Sequence, residues 1–169
     1  TASLVQLSLT FSMVGLAVGQ LVIGPLSDKY GRKKTLMASL VLFCISTIGC
    51  LYASDIYVFI FFRLLQGLSG AGGVVISKSI ATDLYEGREL TRFFSMLSSV
   101  QGIAPVCAPV LGGVLLEVTD WKGIFWILVL IGILLIMALA FFKESLNNEQ
   151  QHCGVFATFR NYIPVFQNA

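Results

Sequence analysis

Five stretches, each about 20 residues or longer, run without a single acidic side chain, and this segmentation constrains the fold more than any motif does. Leu4 to Leu26, Thr35 to Ala53, Phe93 to Leu116 and Gly123 to Phe142 carry no charge, while Ile56 to Thr82 carries only Arg63 and Lys78. A helix needs about 20 apolar residues at roughly 1.5 Å each to cross about 30 Å of hydrocarbon, with every backbone polar group satisfied inside the segment. Hydrophobic residues make up 56% of the chain and charged ones 12%, about half the charge of a soluble domain. The chain is therefore expected to be an all-α membrane protein of five crossings, at about 4–26, 35–53, 56–82, 93–116 and 123–142. The first block lacks the basic flank and cleavage site of a signal peptide.

Orientation follows from the excess of Lys and Arg in short cytoplasmic loops. Lys29, Arg32, Lys33 and Lys34 follow the first block, Arg88 and Arg92 the third, and Lys143 and Arg160 lie in the tail; the alternate loops contribute only Lys122. The first, third and fifth helices are thus expected to end in the cytoplasm, with Trp121 and Trp126 near the outer interface. An upstream crossing is expected before Thr1, and residues 143–169 are expected to be a cytoplasmic linker toward a further half of the protein.

Catalytic and metal chemistry find little support. No block contains paired carboxylates, a His cluster or a nucleophile with a base, so no enzyme, cofactor or nucleic-acid partner is expected. Cys44, Cys50 and Cys107 fall inside apolar blocks, where a free thiol behaves as a small hydrophobe, and His152 beside Cys153 has no further ligands at zinc spacing.

Three motifs stand out. The run Gly24-Pro25-Leu26-Ser27-Asp28-Lys29-Tyr30-Gly31-Arg32-Lys33-Lys34 joins the first two blocks. Gly31 suits a tight turn, and Lys33 and Lys34 read either as topology anchors or as part of the motif. Asp28, the lone acid among bases, calls for a partner or a helix N-terminus. In the third block Phe62-Arg63-Leu64-Leu65-Gln66-Gly67 precedes Ser69, Gly73, Ser77 and Ala81, small residues at spacing four on which another helix can pack. Arg63 lies about 10 Å into that helix and either snorkels or faces a polar cavity; Lys78, near the other end, suits snorkelling. In the fourth block Gly102, Pro105, Pro109, Gly112 and Gly113 form a stretch in which two prolines four apart remove donors from one face. A generic kink is the alternative.

The first run is similar to the signature between helices two and three of the major facilitator superfamily, matched at Gly24, Asp28, Lys29, Gly31, Arg32 and Lys33, and looks especially like drug exporters of the bicyclomycin-resistance type. The resemblance implies that the five blocks are helices two to six of a twelve-helix protein, part of its N-terminal six-helix bundle, with helix one and the C-terminal half as partners outside this chain. Arg63 with Gln66 and Gly67 resembles the helix-four signature of proton-linked members, which implies a place in the proton pathway. The helix-five stretch resembles the antiporter signature, with Ala104 where many members have Gly.

The implied activity is proton-coupled efflux of lipophilic or cationic drugs across the inner membrane by alternating access. The alternatives are a sugar or metabolite symporter of the same superfamily, which the helix-five prolines oppose, and a truncated helical scaffold without activity. Gln6, Gln20 and Gln101 are candidate cavity residues or else interhelical hydrogen bonders. Asp83 closes the Arg63-bearing helix on the side of Asp28 and Arg32, so a relay of acid, base and acid is expected there. The resemblance implies that it latches the cytoplasmic side, with Asp28 facing a helix N-terminus of the C-terminal half.

Overall fold

A computed structural model describes residues 2–141; Phe142, the expected linker 143–169 and the His152–Cys153 pair lie outside the described residues. Five helices follow one another: α1 (Ala2–Tyr30), α2 (Arg32–Tyr52), α3 (Ile56–Leu84), α4 (Gly87–Val118) and α5 (Trp121–Ala140). All five are long and apolar enough to cross a bilayer, and the protein is a multi-pass membrane protein.

The connections are shorter than the charge pattern suggests. Gly31 alone separates α1 from α2, so Pro25 and Asp28 lie inside α1 and Lys33 and Lys34 inside α2, not in a loop. Charge ends the apolar stretch without ending the helix, because Lys and Arg are good helix formers once clear of hydrocarbon. The turn itself needs glycine: Gly31 has φ 96°, a region where a side chain is strained. Its N–H donates to the Ser27 carbonyl at 3.1 Å and its carbonyl accepts from Thr35 N–H at 3.2 Å, so hydrogen bonding continues almost unbroken through the reversal.

With such short connections, one end of the bundle collects the C-termini of α1, α3 and α5 and the N-termini of α2 and α4. We call this the Gly31 end. α3 is the central helix, packed along α1 and α2, while α5 lies against α2. Ile23, Ala71 and Ile76 form a core toward the Gly31 end, and Cys50, Leu51 and Phe125 form another toward the opposite end, covered by Phe59 and Phe62.

Small residues set the helix spacing. A methyl group on Gly67 would run into the Ser12 carbonyl, one on Gly15 into the Leu64 carbonyl, and one on Gly19 would lie 2.7 Å from the Ala71 Cβ. Buried hydroxyls bond back into their own helices, Ser39 to the Thr35 carbonyl at 2.9 Å and Ser46 to that of Leu42 at 2.7 Å, so they add no unmet polarity to these contacts. Without a hydrophobic drive between helices in lipid, such close fit is what holds them together.

The expected stripe of Ser69, Gly73, Ser77 and Ala81 is not the packing face as a whole. Ser69 and Ala81 are buried, but Gly73 is exposed and has nothing within 4 Å of the place a Cβ would occupy. At about 100° per residue Gly73 stands about 120° around α3 from Gly67, and α1 packs against Gly67 and Ala71 instead. Gly67→Ala is therefore expected to destabilise the full-length protein by about 1–3 kcal/mol. Gly73→Ala should be neutral or stabilising by up to about 1 kcal/mol. Thermal unfolding of both variants in detergent checks this, and equal midpoints would contradict the α1–α3 geometry.

α4 stands apart. It is held at its ends, by Tyr85 stacked on Phe93 with ring centroids 5.5 Å apart and by the short turn into α5, and none of its residues is buried among the described residues.

Candidate functional site

Two polar constellations lie on α3, at positions 63 and 83. Twenty residues separate them, roughly 30 Å along the helix, so they sit at opposite depths of a membrane-spanning segment.

At the Gly31 end, Arg32 in the first turn of α2 joins three helices. Its Nε donates to Asp83 Oδ2 on α3 at 3.0 Å; its Nη1 donates to Ser27 Oγ at 2.7 Å and to Asp28 Oδ1, both on α1. The one-residue turn at Gly31 makes this possible, because it brings Arg32 back over the last turn of α1. Arg32 is only 8% exposed. The Asp83 residue is exposed through its backbone at the helix end, yet its side chain is just 17% exposed, whereas that of Asp28 is 43% exposed. The two acids thus differ: Asp83 is the inner partner, and Asp28 keeps an open side toward which another group can approach.

Ser27 is fully buried and its hydroxyl donates a hydrogen bond to the Gly24 carbonyl at 2.8 Å, which leaves its oxygen as an acceptor for Arg32. Gly24 itself faces only Val75 Cγ1, 3.8 Å from the place of a Cβ, so among the described residues no close contact requires glycine there, whereas Gly31 needs it for its positive φ. Beside the cluster, Lys33 Nζ donates to the Ala140 carbonyl at 3.0 Å, a cation on the C-terminus of α5, where the helix dipole favours positive charge.

The second constellation centres on Arg63, two turns into α3. Its guanidinium lies over the rings of Phe125 and Phe59, 5.0 and 5.6 Å from their centroids, and its Nη1 donates to Gln66 Oε1 at 3.0 Å. Gln66 Nε2 donates to Thr47 Oγ1 on α2 at 2.8 Å, and that hydroxyl donates to the Phe43 carbonyl at 2.6 Å. Within this arrangement Arg63 Nε is buried without a hydrogen-bond partner. Arg63 and Gln66 line a cavity of about 310 Å³ with Ser12, Met13 and Leu16 of α1, Phe43 of α2 and Leu128 of α5. Arg63 is thus neither snorkelled to an interface nor paired with an acid among the described residues; it is stacked, tethered by Gln66 and presented to a cavity.

The remaining candidates are not gathered into either place. Gln6, Gln20 and Gln101 are exposed, and none lines the Arg63 cavity. Residues 101–111 of α4 are all exposed, and Gly102, Gly112 and Gly113 have nothing within 4 Å of a Cβ position. α4 runs as a continuous helix through both prolines, which leaves the carbonyls of Gln101 and Pro105 without their helical donors.

Ser27 and Thr47 were not singled out by motif, although a hydroxyl residue beside Asp28, and one in an otherwise apolar block, are signals of a kind. No local signal distinguishes Phe125, whose partner Arg63 is 62 residues away in the chain, and the motif that includes Lys33 does not point to its partner Ala140, 107 residues away.

Comparison with known proteins assigns the chain to a family. The family model of the Major Facilitator Superfamily matches residues 1–152. The chain is 43% identical over 154 residues to the uncharacterized MFS-type transporter YdgK of Bacillus subtilis, covering 89% of this chain and 38% of that protein. It is 33% identical over 138 residues to a bicyclomycin resistance protein homolog of Haemophilus influenzae, covering 82% of this chain and 34% of the relative. It is also 33% identical over 147 residues to the multidrug resistance protein MdtL of Escherichia coli, covering 85% and 38% respectively. The chain thus spans little more than a third of the length of these relatives. The match runs through all five helices, and with it through the Arg32 cluster and the Arg63 chain; this protein belongs to the major facilitator superfamily.

Proposed function

We propose that the protein carrying this chain is a proton-coupled antiporter that exports drugs or other small lipophilic or cationic compounds across the inner membrane by alternating access. In this reading the Gly31 end is cytoplasmic, α1 to α5 are helices two to six of twelve, and residues 143–169 link to a second six-helix half.

Arg63 carries the reading. A guanidinium held inside an apolar helix, stacked on two rings and with one donor unbonded, is costly unless it serves a counter-charge in the adjoining cavity. A carboxylate that exchanges its proton there would be held ionised by Arg63 and released from it on protonation. Gln66 and Thr47 would keep the guanidinium aimed while that happens. Two further features support export by antiport. The relatives include a bicyclomycin resistance protein homolog and a multidrug resistance protein. On α4, the bared carbonyls of Gln101 and Pro105 suit water or a second helix rather than lipid, so this face belongs on the transport path. Gln6, Gln20 and Gln101 would then line the path only if helices outside this chain close over them.

The test uses full-length protein in proteoliposomes with a proton gradient. Addition of a transported drug should move protons in the direction opposite to the drug, and Pro109→Leu or Gly112→Leu should make that exchange leaky or inactive at unchanged expression. Protons moving with the substrate would establish the symport reading instead. Wild-type coupling in both variants would reduce the α4 stretch to a generic proline-containing helix.

A further inference from the structure

A groove of about 440 Å³ runs between α1 and α2 on the Gly31 side, lined among others by Val22, Leu26, Tyr30, Lys34 and Ala38, with Leu68 of α3 at its floor. It is separate from the Arg63 cavity and from the Arg32 cluster. Its volume falls within the roughly 300–1,000 Å³ of ligand pockets.

We propose that this groove holds one acyl chain of an anionic glycerophospholipid, whose phosphate is bound by Lys34. The polarity of the groove is graded along its length. From Lys34 to Leu42 it follows α2 for eight residues, about 12 Å into the hydrocarbon, and the side chains there are apolar or small. At the other end stand a phenol and an ammonium, Tyr30 and Lys34, both exposed and both at the turn, where the headgroups of the leaflet lie. Lys34 makes no ion pair among the described residues, in contrast to its neighbour Arg32, which is held by two carboxylates. Lys29 adds a second cation nearby, its ammonium 5.0 Å from the centroid of the Tyr30 ring.

The occupant follows from the solvent. An acyl chain gains nothing hydrophobic by leaving lipid for an apolar groove, so affinity and selectivity come from the headgroup. Basic residues at the interfacial end of a groove between membrane helices select phosphate-bearing anionic lipids over zwitterionic ones. The lipid would brace α1 against α2 on the side opposite their shared contact with α3.

Native mass spectrometry of the full-length, delipidated protein titrated with phosphatidylglycerol and with phosphatidylcholine of matched chains tests this. Wild type should prefer phosphatidylglycerol by about fivefold, the preference that one lysine near an anionic surface supports. Lys34→Gln should bring the ratio close to one, and Lys34→Arg should retain it. Ala38→Trp, which fills the groove without touching the headgroup, should lower binding of both lipids. Equal binding of the two lipids by wild type, or an unchanged preference in Lys34→Gln, would overturn the proposal. Unchanged lipid binding in Ala38→Trp would show that the groove is covered by another part of the protein, and loss of the preference on adding glycerol phosphate would assign the site to a soluble phosphate. Both results would also overturn it.

Discussion

Arg63→Ala in the full-length protein is expected to lower proton-driven exchange by on the order of 100-fold or more, the usual effect of removing one oriented donor from a dry site. Insertion and folding should survive, because the truncation removes a buried charge along with its desolvation cost and leaves only Gln66 to find a new partner. Arg63→Lys should retain part of the activity. An ammonium keeps the charge but lacks the planar face that lies over Phe59 and Phe125 and the fork that serves Gln66 while leaving Nε free. Gln66→Leu should fall between them, since it frees the guanidinium without deleting it. The readout is drug-induced proton movement in vesicles with a folded-state control by size exclusion. Normal proton movement in Arg63→Ala would remove Arg63 from the coupling mechanism.

The second large effect is expected at the Gly31 end. Arg32→Met leaves two carboxylates facing each other without their cation. Breaking a fully buried ion pair costs about 3–5 kcal/mol; here about 1–3 kcal/mol is expected, because the Asp28 side chain remains 43% exposed. Asp28→Asn and Asp83→Asn act on the same guanidinium, so their effects on turnover should not add: the double variant should be no worse than the poorer single one. Both should impair turnover more than drug binding, as expected of a latch that must form and break in each cycle. Fully additive losses would show that the two acids act independently, and the latch proposal would fall. The geometry adds one asymmetry. Asp83 is the more enclosed partner, so its loss should weigh more on thermal stability, while Asp28, with its open side, should weigh more on turnover.

Hydropathy alone was enough to place five membrane helices, because a spanning helix must satisfy its backbone internally and its length is imposed by the bilayer rather than by neighbours. The family was equally legible, since Asp28, Gly31, Arg32, Arg63 and the proline pair stand at fixed local spacings. Helix ends were less so. The charges at 28–34 mark where hydrocarbon stops, but the chain stays helical until Gly31 turns it at φ 96°.

What tertiary structure decided is which residues meet. Arg32 and Asp83 are 51 residues apart; the charge pattern set them at one end of the bundle and the relay was expected there, but only packing made Asp83 the enclosed partner and Asp28 the open one. The choice between Gly67 and Gly73 as the contact residue was beyond reach for the same reason. Both are small and both recur with other small residues, yet only the rotation of α3 against α1 determines that one meets the Ser12 carbonyl and the other meets nothing. In lipid the hydrophobic pattern that orients a soluble helix is absent, because both faces are apolar. The sequence therefore specified how many helices cross and where the charges stand along each, while packing of small residues and a few buried donors decided which way each helix faces.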